Sequence, residues 1–71
     1  MTDTTTLVAA WKSAQGELKA ARIDSPAIDA RLLLEAATGA TRLEILTDPH
    51  RPLTPDQSAT LAGYVERRLK R

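Results

Sequence analysis

Seventy-one residues, no cysteine, and ten Lys and Arg against nine Asp and Glu bound the possibilities before any pattern is read. That length suits one domain near the lower limit for a self-sufficient core, and the missing cysteines exclude a disulfide framework or a thiolate metal site. A net charge of +1 gives no general pull toward nucleic acid or an anionic membrane.

Apolar residues make up 42% of the chain and are mostly Leu and Ala, both good helix formers, so the sequence predicts an all-α fold. No apolar run approaches a membrane span, and no charged-then-apolar leader precedes Leu7. The expectation is a soluble, cytoplasmic chain with no membrane partner.

Met1 to Thr6 is polar and reads as a frayed start, although Thr4 or Thr5 could cap the first helix. That helix is predicted over 5–22, where Leu7, Trp11, Ala14, Leu18 and Ala21 fall on one stripe. Gly16 lies on its far side and costs about 1 kcal/mol against Ala in a helix interior. Ile23-Asp24 then makes a tight connection into the next helix.

Residues 26–38 are predicted as a central helix. Ser25 is placed to supply an N-cap hydroxyl, Pro26 fits the first helical position, and Gly39 is the left-handed residue past the end. Ile28, Leu32, Ala36, Leu33, Ala37, Ala30 and Leu34 cover roughly two thirds of its circumference at about 100° per residue. A helix apolar on most sides is expected to have neighbours on most sides.

Thr41-Arg42-Leu43-Glu44 matches a capping box, and Pro49 limits the helix it opens to about 42–47, with Leu43 and Leu46 able to face inward. Thr54-Pro55-Asp56-Gln57 is a second start signal, opening a helix over 55–70 with Leu61, Val65 and Leu69 on one face. The prediction is therefore a bundle of four helices, or five if one is broken, around the helix at 26–38. Its expected core is Trp11, Leu18, Ile28, Leu32, Leu33, Leu46, Leu61 and Val65. The chain ends in Glu66-Arg67-Arg68-Leu69-Lys70-Arg71 without a stop signal, as a piece of a longer protein would.

Two charges fall where helical projection places apolar residues. Asp29 lies beside Ala36 and Leu33, and Arg68 lies between Leu61 and Tyr64. Each could reach water from a helix end, with Asp29 gaining from the N-terminal dipole. Alternatively the two form a partly buried structural ion pair, within about 4 Å, that fixes the packing register of their helices.

Groups suited to catalysis do not cluster in the sequence. Gly16, Gly39 and Gly63 are far apart and form no phosphate-binding loop. His50 has no neighbour suited to activate it, and Ser13, Ser25 and Ser58 sit on helix surfaces or caps. No residue is assigned a catalytic, cofactor-binding or metal-binding role.

The segments Ile23-Asp24-Ser25-Pro26, Asp29-Ala30-Arg31-Leu32-Leu33-Leu34-Glu35 and Thr38-Gly39 resemble the N-terminal domain of the HemK/PrmC family of release-factor glutamine methyltransferases. So does Leu53-Thr54 leading to a helix that ends in Arg67-Arg68. The order of elements fits nearly the whole chain. The resemblance implies a parent enzyme that moves a methyl group from S-adenosylmethionine to the glutamine of the Gly-Gly-Gln motif of peptide chain release factors. It implies that the cofactor and active-site motifs lie in a catalytic domain outside this chain. Residues 1–71 would be the substrate-recognition domain, with a release factor and the parent's own catalytic domain as partners. Asp29 and Arg68 match family positions and are read as structural. Two other classes fit less well. A carrier domain would show an Asp-Ser-Leu attachment site, where this chain has Asp24-Ser25-Pro26; a small nucleic-acid-binding bundle would rely on the basic end alone.

Overall fold

The computed structural model describes residues 5–70. Among them are four helices, α1 (Leu7–Ala20), α2 (Pro26–Thr38), α3 (Arg42–Thr47) and α4 (Pro55–Lys70). Extended pairing is limited to an isolated antiparallel bridge between Thr6 and Pro52. The all-α prediction and its four segments hold, with α1 two residues shorter at each end than expected. Thr4, a possible cap, and Arg71, in the basic end, lie outside the described residues.

The start of α1 is set by Thr6 rather than Thr5. Thr5 C=O accepts from Leu53 N–H at 2.7 Å, and the next residue, Thr6, is the extended N-cap whose hydroxyl accepts from Ala9 N–H at 3.2 Å. The first free donors of the helix are met by the loop before α4: Leu7 N–H donates to Arg51 C=O and Val8 N–H to Pro49 C=O, both at 2.9 Å. The open end of α1 is thus closed by a distant, proline-rich loop.

The other end stops at Ala20 because the chain enters a Schellman turn. Arg22 N–H donates to Lys19 C=O at 3.0 Å, and Ile23 N–H reaches back to Leu18 C=O at 3.0 Å. Arg22 occupies the left-handed position, with φ +61°, where glycine is usual. Ile23 packs on the core at the point where this motif places its hydrophobic contact.

Ser25 does not cap α2 with its hydroxyl. It is itself left-handed, at φ +56° and ψ +52°, whereas a capping serine needs extended backbone to aim its oxygen at the first turn. Pro26 still occupies the start, and Gly39 ends the helix at φ +74°. Both predicted boxes form. Thr41 and Glu44 exchange bonds of 3.2 and 3.1 Å, and Thr54 and Gln57 exchange bonds of 3.0 and 3.1 Å.

The core differs from the one expected. Leu18, Leu61 and Val65 are buried, as predicted, and Trp11 and Leu33 are partly buried against them. Ile28, Leu32 and Leu46, however, are 53%, 51% and 60% exposed. The positions they were expected to fill belong to Ala30 and Leu34 on α2 and to Ile45 on α3, all buried, together with Leu7, Ala10, Ala14 and Leu53. The reason lies in the breadth of the apolar arc on α2. That helix packs against both α1 and α4, with Ala30 and Leu34 buried and Leu33 and Ala37 partly buried on that side, which leaves Ile28, Leu32 and Ala36 on the exposed part of the arc.

Candidate interaction surface

Polar contacts join α2 to α4 near both of its ends. At its C-terminal end, Gln57 Nε2 donates to Thr38 C=O at 3.3 Å, while the same amide's oxygen closes the box at the start of α4. At its N-terminal end, Arg68 Nη2 lies 3.0 Å from Asp29 Oδ2. The start of α4 therefore meets the end of α2, and the end of α4 meets the start of α2. The two helices run antiparallel with a clamp at each end. The Asp29 and Arg68 side chains are 23% and 33% exposed, so the pair is partly screened. Arg67, its neighbour, turns the other way and lies 5.9 Å from the centre of the Tyr64 ring.

A third polar contact joins α2 to α1. Trp11 Nε1 donates to Ala27 C=O at 3.0 Å, which anchors the first turn of α2 on the middle of α1. Sequence patterning carries no signal for this bond or for the Gln57 clamp. Trp11 reads as an apolar stripe member and Gln57 as a box residue, and each does a second job that depends on where another helix lies.

Held this way, α2 turns Ala30 and Leu34 into the core and Ile28, Leu32 and Ala36 outward. The outward three lie on consecutive turns within an arc of about 80°. On one side of them, Arg31 Nε and Glu35 Oε2 are 3.6 Å apart; on the other is the Asp29–Arg68 pair. Leu43 and Leu46 of α3 are also exposed, at 68% and 60%. Their short helix is held by Glu44, which accepts from Arg51 Nη1 at 2.9 Å as well as from its own box. The Thr41 backbone N–H, aided by the Thr41 hydroxyl contact and the Arg51 charge, holds the Glu44 carboxyl below the usual glutamate range.

Between α1 and α4 lies an open groove of about 210 Å³. Ala10 and Ala14 line it from one helix and Leu61 and Val65 from the other, with Glu17 its one charged lining residue. Its volume is below the usual range for small-molecule sites. Gly16 and Gly63 sit within helices and Gly39 caps a third, so no glycine loop approaches the groove. Among the described residues no three His, Asp or Glu side chains are grouped to hold a metal ion, and no helix is long and apolar enough to cross a membrane. His50 is exposed in the loop beside Pro49.

A family model described as the PrmC N-terminal domain matches residues 9–71. A release factor glutamine methyltransferase of Caulobacter vibrioides is 59% identical over 68 residues, covering 96% of this chain and 24% of the relative. A protein of the same name from Agrobacterium fabrum is 38% identical over 58 residues, covering 82% of this chain and 20% of the relative. The chain thus spans about a quarter or less of the length of these curated relatives. No solved structure matches it.

Proposed function

This chain belongs to the PrmC N-terminal domain family, and we propose that it is the docking domain of a methyltransferase acting on peptide chain release factors. The observation that carries this reading is 59% identity, across 96% of the chain, to a protein named release factor glutamine methyltransferase. In the parent enzyme the methyl group would come from S-adenosylmethionine bound outside residues 1–71, and it would be placed on the side-chain amide of the Gly-Gly-Gln glutamine. The residues of this chain contribute no glycine loop, nucleophile or activated base to that chemistry. What they offer is a helix pinned at both ends with an apolar face turned outward.

A docking face made of a few side chains on one helix supports weak, reversible binding. Tethering to a catalytic domain turns weak binding into a useful gain, because the second contact becomes intramolecular and its effective concentration rises. The test compares the full parent with the same protein lacking residues 1–71. Removal is expected to lower kcat/KM for intact release factor mainly through KM. A soluble catalytic domain whose kcat/KM for intact factor is unaltered by the removal would show the docking role to be wrong.

A further inference from the structure

We propose that the release factor docks on the outward stripe of α2 formed by Ile28, Leu32 and Ala36, an assignment that rests on the docking function proposed above. Three observations support it. The first is the pattern of exposure. Single exposed apolar residues are ordinary, but these occupy positions i, i+4 and i+8 of one helix, the spacing at which a helix presents anchors to a groove. Ile28 and Leu32 are each about half exposed, while the opposite arc of the same helix is fully buried at Ala30 and Leu34.

The second observation is charge. The charged groups on both borders of the stripe face opposite charges within the domain, Asp29 with Arg68 through a 3.0 Å hydrogen bond and Arg31 with Glu35 through a 3.6 Å ion pair in which Arg31 Nε makes no hydrogen bond. A phosphate backbone or an anionic lipid surface would meet border cations that each already face a carboxylate of the domain. The complementary surface is an apolar protein face without strong charge of its own. With the backbone clamped by Gln57 and Arg68, little has to be ordered on binding.

The third is position. The Arg68–Asp29 contact sets the first turn of α2 beside the last turn of α4. A domain that is N-terminal in its family and covers 24% of a relative leaves most of that relative beyond the end of α4. A protein lying along the stripe would have one end at that junction, and so would meet the docking and catalytic parts together.

The test uses the full-length parent carrying Ile28→Ser and Leu32→Glu, with the single substitutions Leu32→Ser and Ala36→Gln as alternatives should the double variant fail to fold. The substrates are intact release factor and a short Gly-Gly-Gln peptide. The expected result is a fall of about tenfold in the ratio of kcat/KM for intact factor to that for peptide, the size of losing a central apolar contact. An unchanged ratio, in a parent whose ratio does fall when residues 1–71 are removed, would overturn the stripe and leave the docking function standing. An unchanged ratio on both manipulations would overturn the docking function itself. Equal loss on both substrates would assign the stripe to contact with the catalytic part. A change in sedimentation of the parent would assign it to a second copy. Either of these last two outcomes also overturns the proposal.

Discussion

Arg22 holds a backbone conformation, φ +61°, in which a side chain costs about 1–2 kcal/mol relative to glycine. Replacing it by glycine keeps the Schellman bonds to Lys19 and Leu18 and relieves that strain. Arg22→Gly is therefore expected to raise stability by roughly 1 kcal/mol, read as a higher urea midpoint at unchanged m-value. Gly16 is the reverse case. It is exposed within α1, a Cβ built there meets nothing within 4 Å, and its φ is not left-handed. Gly16→Ala should stabilise by about 1 kcal/mol, and a domain of this size would show that as a rise of about 4–8 °C in Tm. Glu44 gives the chain a pH dependence. Its carboxyl is held below the ordinary value by the Thr41 N–H, so the folded state favours the charged form. The stabilisation is complete above the unfolded pKa of about 4.3 and is lost as pH falls through the lower folded value. Acid unfolding followed by circular dichroism should show this loss below about pH 4.3, and Glu44→Gln should flatten that part of the curve.

At the scale of elements, the α2–α4 pair is bridged at both ends, by Gln57 to Thr38 and by Arg68 to Asp29. The Asp29–Arg68 contact is neither exposed nor fully buried, so its removal falls between the values for surface and buried pairs. Asp29→Asn should cost about 1–2 kcal/mol, seen as a lower Tm. An unchanged melting temperature would mean that the pair contributes nothing to the helix packing. Gln57 sits at the other end of the same helix pair, and the effects of Asp29→Asn and Gln57→Ala should add within about 0.5 kcal/mol. Much at this scale was legible in the sequence. Pro26, Gly39, the Thr41–Glu44 box and the Thr54–Gln57 box each mark a boundary by local chemistry alone. The C-terminal end of α1 was not legible, because its stop signal is an arginine in a position usually marked by glycine. Ser25 misled for a related reason. Serine before proline reads as a cap, but the backbone turn from Ile23 into α2 puts it in a left-handed conformation from which its hydroxyl cannot reach the helix.

For the whole molecule, the open question in the sequence was which part of α2's apolar arc faces the core. Residues spread over two thirds of a helix give periodicity no preferred direction, and the choice is made by where α1 and α4 sit. Both lie on the side of Ala30 and Leu34, which leaves Ile28, Leu32 and Ala36 exposed. A similar choice on the short α3 buries Ile45 and exposes Leu43 and Leu46. Two of the three residues of the proposed docking stripe, Ile28 and Leu32, were therefore ones that sequence patterning assigned to the core. Their spacing was visible, but their exposure depends on packing between distant segments. The most direct measurement is a titration of residues 1–71, labelled with ¹⁵N, with unlabelled release factor, followed through backbone amide signals. Docking on α2 predicts progressive, saturable changes at Ile28, Leu32 and Ala36, with the amides of Ala10, Ala14, Leu61 and Val65 along the groove unaffected. No change up to roughly millimolar factor, the limit of weak association, or changes confined to the groove would contradict it.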